Sequence, residues 1–375
     1  MKILLIGEFS GLHWTLAQGL RQLGHQVTVV SDGDGWKNYD RDINLDRKAD
    51  TPWEGVKYIG KLLKVLPKLR GYDVVQLINP CFLNLKPSKS IYVYRYLRKH
   101  NKKVFLGAFG VDHYWVKAGV EDRIYRYSDF NIGSQPRVTE RTKRVTKECL
   151  QGGTAQSNIE IARSCQGIVA CLWEYYAAYQ NYFPEKLLYA PLPIDYRKVT
   201  SRVRKEPEKV NFFIGIQSAR SDLKGTDIMY PVLQEVQRDY PDRCTVTVAQ
   251  DVPFAEYERM MDEADVQLDQ LYSYTPSMNS LLAMAKGVIV VGGGEPENYE
   301  ILGEKELRPI VNVYPSKEDI RRQLVYIIEH KHLIPKLSAE SIEYVHKHHN
   351  YVEVARRYAE FWQSAPVTQS GSQPR

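Results

Sequence analysis

Short apolar runs alternate with helix-length amphipathic segments along this chain, and near residue 200 the alternation begins again. KILLIG, at the start, is a continuous apolar run, the composition of a parallel strand covered on both faces. LHWTLAQGLRQLGHQ follows, with Leu12, Leu16, Leu20 and Leu23 at helical spacing and Gly24 as a natural stop. QVTVVSD reads as the second strand, DVVQLIN (73–79) as the third, KKVFLGAFG (102–110) as the fourth and GIVACL (167–172) as a later one. Strand, helix, strand in this rhythm dictates a right-handed parallel α/β sheet.

The rhythm restarts after a charged, irregular stretch, YRKVTSRVRKEPEK (196–209). VNFFIGIQ (210–217) is a new first strand, followed by the strands CTVTVAQD (244–251), VQLDQL and GVIVVGGG (287–294), with helices between them. IRRQLVYIIEHKHLI and VEVARRYAEFWQ close the unit as helices. The expectation is two Rossmann-like α/β/α domains facing a central cleft, over 1–195 and 196–363, the last helix able to pack back on the first domain. The polar stretch 364–375 is expected to be disordered.

Length and composition agree with that division. A chain of 375 residues can bury two cores, and 43% hydrophobic with 26% charged residues is ordinary for a globular protein. No apolar run approaches the roughly 20 residues that span a bilayer, and MKILLIGEFSG lacks a signal-peptide cleavage site, which predicts a cytoplasmic protein. Five cysteines form no CxxC pair and predict reduced, mostly buried thiols. His346, His348 and His349 read as surface histidines. The net charge of +6 hides an asymmetry: residues 1–200 carry +11, and residues 201–375 carry −5. Such a split argues against nucleic acid as partner and fits a front domain that meets an anionic surface or substrate.

Ligands of open parallel sheets bind beyond the carboxyl ends of the strands. Here those ends carry GEFSG, FGVDHYW, QSARSDLKGTD, SYTPSMN and GGGEPE, and no GxGxxG follows the first strand, which disfavours a dehydrogenase. In QSARSDLKGTD, Arg220 and Lys224 precede a helix, an arrangement suited to a diphosphate; a surface pair with Asp222 is the plain alternative. In SYTPSMNSLLAMAKG a helix opens at Thr275, Ser277, Met278, Asn279 and Ser280. Its free N–H groups could hold an anion, and the same residue types serve as ordinary N-caps.

The second half resembles the donor domain of GT-B glycosyltransferases, particularly the retaining family-4 type. The likeness rests on R…KG after a strand, a D-V-x-L strand, AMAKG closing a helix, and a glycine-rich turn with Glu. PLPID (191–195), SGLHWTLAQGLRQLGHQVTVV and HNYVEVARRYAEFW extend it in order over nearly the whole chain. The resemblance implies hexosyl transfer from a nucleotide-diphosphate sugar to a glycan or lipid-linked acceptor, without cofactor or metal. It implies that Arg220 and Lys224, with the amides of the TPSMN stretch, hold the donor diphosphate. It places Ser10, Gly11 and His13 under the acceptor, and Asp112 and His113 in the catalytic zone, a hydrogen-bonded structural His being the alternative; Tyr114 and Trp115 beside them either stack on a sugar ring or merely pack. The family's two glutamates, eight residues apart, fall here on Tyr274 and Leu282, so neither carboxylate is present. Tyr274, Glu295 and Glu297 become the candidates for the donor sugar and ribose, plain exposed loop carboxylates being the alternative for the two glutamates. KLLKVLPKLRGYD (61–73) reads as a basic surface helix interrupted at Pro67; the resemblance implies a face for peripheral contact with the inner membrane leaflet, a solvated face being the plain alternative. The rival reading is a catalytically silent GT-B protein that binds a nucleotide-sugar or a partner enzyme; an epimerase of the same fold is a third.

Overall fold

The computed structural model describes residues 1–366, save the side chain of Trp36. The first unit runs through β1 (Lys2–Ile6), α1 (Leu12–Gln22), β2 (Gln26–Ser31), β3 (Ile43–Asn44), α2 (Pro52–Val65), β4 (Val74–Leu77), α3 (Pro87–His100), β5 (Lys103–Ala108) and α4 (His113–Val120). A small antiparallel ribbon then interrupts the alternation: β6 (Tyr127–Ser128), β7 (Asn131–Ile132) and β8 (Gln135–Pro136). After it come α5 (Glu140–Leu150), α6 (Gly152–Ser164), β9 (Gly167–Ala170), α7 (Trp173–Gln180) and β10 (Leu187–Tyr189). The main strands lie parallel in the order β10-β9-β5-β4-β1-β2-β3. Ile3 to Ile6 and Val74, Val75 and Leu77 are buried, which is why these strands read as unbroken apolar runs.

The second unit contains β11 (Val210–Ile216), α8 (Ser221–Lys224), α9 (Thr226–Asp239), β12 (Cys244–Gln250), α10 (Phe254–Asp262), β13 (Val266–Leu268), α11 (Met278–Ala285) and β14 (Ile289–Val291). Helices α12 (Pro296–Leu302), α13 (Lys317–Glu329), α14 (Ile334–His348) and α15 (Tyr351–Ser364) complete it. Its strands are parallel in the order β12-β11-β13-β14. In each sheet the order reverses beside the first strand, between β1 and β4 and between β11 and β13, and the crevice opens at those carboxyl ends.

Helix α15 packs on the first unit. A Cβ at Gly19 of α1 would come within 2.3 Å of the Tyr351 carbonyl oxygen, so only glycine lets the two helices approach this closely. Trp362, fully buried, donates its indole N–H to Gln76 Oε1 at 3.2 Å. Ser364, read from sequence as the start of the tail, still belongs to α15, and residues 367–375 lie outside the described residues.

One sequence expectation needs correction. His348 and His349 are buried: His348 Nε2 lies 2.6 Å from Glu304 Oε2, and His349 Nδ1 lies 2.8 Å from the Leu192 carbonyl. Leu192, in the linker leaving the first unit, meets His349, and Glu304, just after α12, meets His348; of the three histidines His346 alone is exposed. The basic segment 61–73 is interrupted at Pro67 as expected: α2 ends at Val65, and Pro67 sits in the 3-10 turn Leu66–Leu69.

Candidate functional site

At the carboxyl end of β11 the chain passes through a 3-10 turn into Arg220, then α8, and stops at Gly225. Gly225 has φ 74°, and a Cβ there would lie 2.4 Å from Leu271 Cβ, so the turn needs glycine twice over. The exposed Arg220 guanidinium makes no hydrogen bond or ion pair with a described residue. Lys224 Nζ lies 4.0 Å from Asp269 Oδ1, just past the end of β13. The hydroxyls of Ser277 and Ser280 both donate to Asp269 Oδ2 at 2.6 Å, and Ser277 accepts from the Ser280 amide as the N-cap of α11. Asn279 donates to the Tyr257 hydroxyl at 2.7 Å, and Met278 is half-buried as the first residue of the helix. These hydroxyls thus serve the cap and Asp269, leaving cations and backbone as the groups a diphosphate could use.

Upstream of that cap, the loop is clasped by the first unit. Glu174, in the first turn of α7, accepts from the Ser273 hydroxyl at 2.9 Å and the Thr275 amide at 3.1 Å. It also accepts from the Tyr274 amide and the Thr275 hydroxyl. Tyr274 is buried between two rings, Trp173 at 4.6 Å and 27° and Tyr127 at 4.8 Å and 24°. Its hydroxyl accepts from the Arg126 amide at 2.7 Å, and burial pushes the phenol up to about 12. Arg126 donates to Glu295 at 2.8 Å and to Glu297 at 3.0 Å, while the Tyr127 hydroxyl donates to Glu295 Oε1 at 2.6 Å. Each of the three donor-sugar candidates is therefore bonded to the first unit. Arg126, the ribbon and α7 supply these partners, and the glycine turn makes room: a Cβ at Gly293 would lie 2.6 Å from the Thr275 carbonyl oxygen.

On the first unit, Gly11 caps α1 at φ 78°, and the Ser10 amide donates to Asp34 at 2.8 Å. His13 is buried with Nδ1 2.7 Å from the Gly7 carbonyl, and burial pushes its pKa down to about 3. Nearby Glu8, which the sequence reading passed over, accepts from the Trp14 amide at 2.9 Å; burial lifts it to about 8 despite that bond. Asp112 caps α4 through the Trp115 amide at 2.9 Å and accepts from the Tyr179 hydroxyl at 2.7 Å. Burial raises its carboxyl to about 6, those bonds holding it back. His113 Nδ1 lies 2.9 Å from the Cys149 carbonyl. The structure thus brings Lys224 to the α11 mouth through Asp269, leaves Arg220 exposed at the β11 end on the side of Asp129, and joins Tyr274 with Glu295 and Glu297 through Arg126 and Tyr127, while Asp112 and His113 are held among α4, α6 and α7.

The chain matches no family profile and no curated protein sequence. Solved structures match its backbone over nearly all its length. HepE of Anabaena, in complex with UDP and glucose, superposes with a TM-score of 0.59 at 12% identity, covering 97% of this chain and 100% of that one. WaaG, a glycosyltransferase involved in lipopolysaccharide biosynthesis, gives 0.52 at 14% identity over 97% and 100%. The catalytic domain of starch synthase IV from Arabidopsis thaliana, bound to ADP and acarbose, gives 0.59 at 7% identity over 97% and 99%. The fold is GT-B.

One part of the GT-B cleft went unread in the sequence. Asp129, on the ribbon, lines a pocket with Arg137, Thr139 and Arg141 from the first unit and Asp222 and Leu223 from the second. Burial pushes Asp129 up to about 7; the charges of Arg137, Arg141 and Arg220 restrain that rise and Asp222 adds to it. Arg137 bridges the GT-B domains, donating to the Asp222 carbonyl at 3.0 Å and lying 3.6 Å over the Tyr272 ring. The available signal was the segment RIYRYSDFNIGSQPR, whose alternation and N-I-G turn announce a ribbon dense in arginine and tyrosine. Among the described residues no group of three or more His, Cys, Asp or Glu could hold a metal ion.

Proposed function

We propose that this chain is a glycosyltransferase of the retaining, family-4-like kind, moving a hexosyl group from a nucleotide-diphosphate sugar to a glycan or lipid-linked acceptor without a metal. The observation that carries the proposal is the pair Arg220 and Lys224 at the β11 end, one guanidinium unbonded and one ammonium only loosely paired, on a GT-B backbone. In such a transfer the C1–O bond to the diphosphate breaks, the acceptor oxygen bonds C1 on the same face, and its proton passes to the departing phosphate oxygen. Charge grows on that phosphate, and fixed cations beside it lower the barrier. That HepE was solved with UDP and starch synthase IV with ADP supports a nucleotide as part of the donor.

A thermal-shift series with UDP, GDP, ADP, CMP and their sugar conjugates tests the donor. Arg220→Ala and Lys224→Ala should each weaken the stabilising nucleotide by about 10- to 100-fold, the worth of a charge-assisted hydrogen bond, while Tyr274→Phe changes it little. Equal small effects from all three would sink the diphosphate assignment. The second reading, a silent GT-B protein, is favoured by Glu174, whose carboxylate already fills the amides of Tyr274 and Thr275. Binding of nucleotide without transfer of labelled sugar would select it.

Contact with the inner membrane leaflet is part of the proposal, and its face is α2. Trp53, Val56, Ile59 and Leu63 follow one another in steps of three and four and are 67%, 61%, 48% and 60% exposed, while Tyr58, Leu62 and Val65 point inward. Lys57, Lys61 and Lys64 flank that row, which suits an anionic lipid surface. The chain should sediment with phosphatidylserine vesicles and not with phosphatidylcholine alone. Trp53→Ser with Leu63→Ser should cut binding more than about tenfold, each buried side chain being worth about 1.5–3 kcal/mol. Equal sedimentation of both proteins would refute this face.

A further inference from the structure

We infer that the cleft pocket formed by Asp129, Arg137, Thr139 and Arg141 of the first unit and Asp222 of the second is a subsite for an anionic acceptor, a sugar or polyol bearing phosphate or carboxylate. Its role as acceptor subsite rests on the nucleotide-sugar reading above. The pocket straddles the domains, so a molecule seated in it touches both halves of the cleft. Its wall carries Arg141, whose guanidinium makes no hydrogen bond or ion pair with a described residue, and Arg220 stands close enough for its charge to act on Asp129. Arg137 is fixed in place by the Ser128, Asp129 and Asp222 carbonyls and adds positive charge without needing a further partner. Two guanidinium groups therefore line the pocket and the charge of a third, Arg220, reaches its carboxylate, while Asp129, Asp222 and, through Arg137, Asp227 oppose them.

Asp129 gives the pocket its second property. Its carboxyl makes no hydrogen bond to a described residue, and with a pKa near 7 it is mostly protonated on the acid side of neutrality. Protonated, it can donate to a ligand oxygen; ionised, it accepts a hydroxyl proton and repels an anion. Trp115 and Phe130, with rings 5.1 Å apart, supply an apolar side against which a ring can rest. An anion with hydroxyls beside it satisfies all three groups. A neutral glycan would leave Arg141 unpaired, and a bare cation would meet three positive charges.

Sulfate is the probe, because it copies a phosphate ester and keeps its charge from pH 6 to 8, with glucuronate as the carboxylate arm. Calorimetric titration of the full chain should show sulfate binding that weakens as pH rises through about 7, when Asp129 ionises among Arg137, Arg141, Arg220 and Asp222. Arg141→Gln should lose about tenfold in affinity at pH 6, and Asp129→Asn should bind with little change between pH 6 and 8. Sulfate held equally by Arg141→Gln and the parent chain overturns the inference, as does a pH dependence that survives Asp129→Asn. Glucuronate binding without sulfate binding restricts the subsite to carboxylates and supports it. Stabilisation by a nucleotide in a chain that binds neither anion removes the subsite and leaves the donor reading intact. Sulfate binding of the expected pattern with no response to any nucleotide supports the anion site and removes the donor reading, and the acceptor role with it.

Discussion

Replacing Glu174 with alanine should lower the free energy of unfolding by about 3–5 kcal/mol, the cost of leaving buried polar groups without their charged partner. Its carboxylate is the shared acceptor for the Ser273 and Thr275 hydroxyls and the Tyr274 and Thr275 amides, all in a buried loop. Glutamine should lose less, since one carbonyl oxygen still accepts while its amide group faces donors. Urea unfolding of the two variants at pH 7 measures the difference; a loss below about 1 kcal/mol for alanine would show that water replaces the carboxylate freely. The same variant has a functional readout. Removing Glu174 frees amides at the mouth of the donor-side loop, so nucleotide affinity should rise if a phosphate competes for them. Unchanged affinity, with stability lowered, would place the nucleotide wholly on Arg220, Lys224 and the α11 cap.

Closure acts on affinity in the same direction as the freed amides. Glu174 and Arg126 reach from the first unit to the loops that carry Tyr274, Glu295 and Glu297. A ligand that needs the cleft open must overcome those bonds, and its apparent affinity falls by the fraction of molecules that are open. Weakening the clasp would therefore strengthen binding without adding a contact.

What the sequence disclosed and what it withheld have a common physical cause. Strands such as KILLIG, VNFFIGIQ and GVIVVGGG were legible because burial on both faces leaves a run of apolar residues that no loop would carry. Arg220, Lys224 and the α11 opening were legible because cations and capping residues at strand ends follow local rules. Tyr274 and Glu295 were noticed for their place in the chain, but their partners were not, because Tyr127, Trp173 and Arg126 lie more than 90 residues away in sequence. His348 and His349 misled for the same reason: a polar residue on a helix reads as exposed until a distant segment covers it. Asp129 sits in a segment whose ribbon pattern was readable, but its raised pKa was not, since that depends on burial and on the distant Arg220 and Asp222 as well as on Arg137 and Arg141 nearby.

Tyr274→Ala should be as damaging as the loss of Glu174, at about 3–5 kcal/mol, since it opens a cavity between Trp173 and Tyr127 that two domains would have to close together. Phenylalanine keeps both stacks and removes the acceptor for the Arg126 amide, so about 1–3 kcal/mol is expected. Glutamate, the residue that the family resemblance expects at this position, should not rescue anything. It would place a carboxylate in an aromatic slot beside Glu174, Glu295 and Glu297, with Arg126 already shared between two of them. Melting temperatures of the three variants should fall in the order phenylalanine, then alanine and glutamate together. A glutamate variant as stable as the parent would mean that the slot is polar and wet, and that the tyrosine is a replaceable filler. Because Tyr274 and Glu174 share the same loop backbone, the double variant should lose less than the two single losses combined. Full additivity would show two independent contacts where the geometry indicates one clasp.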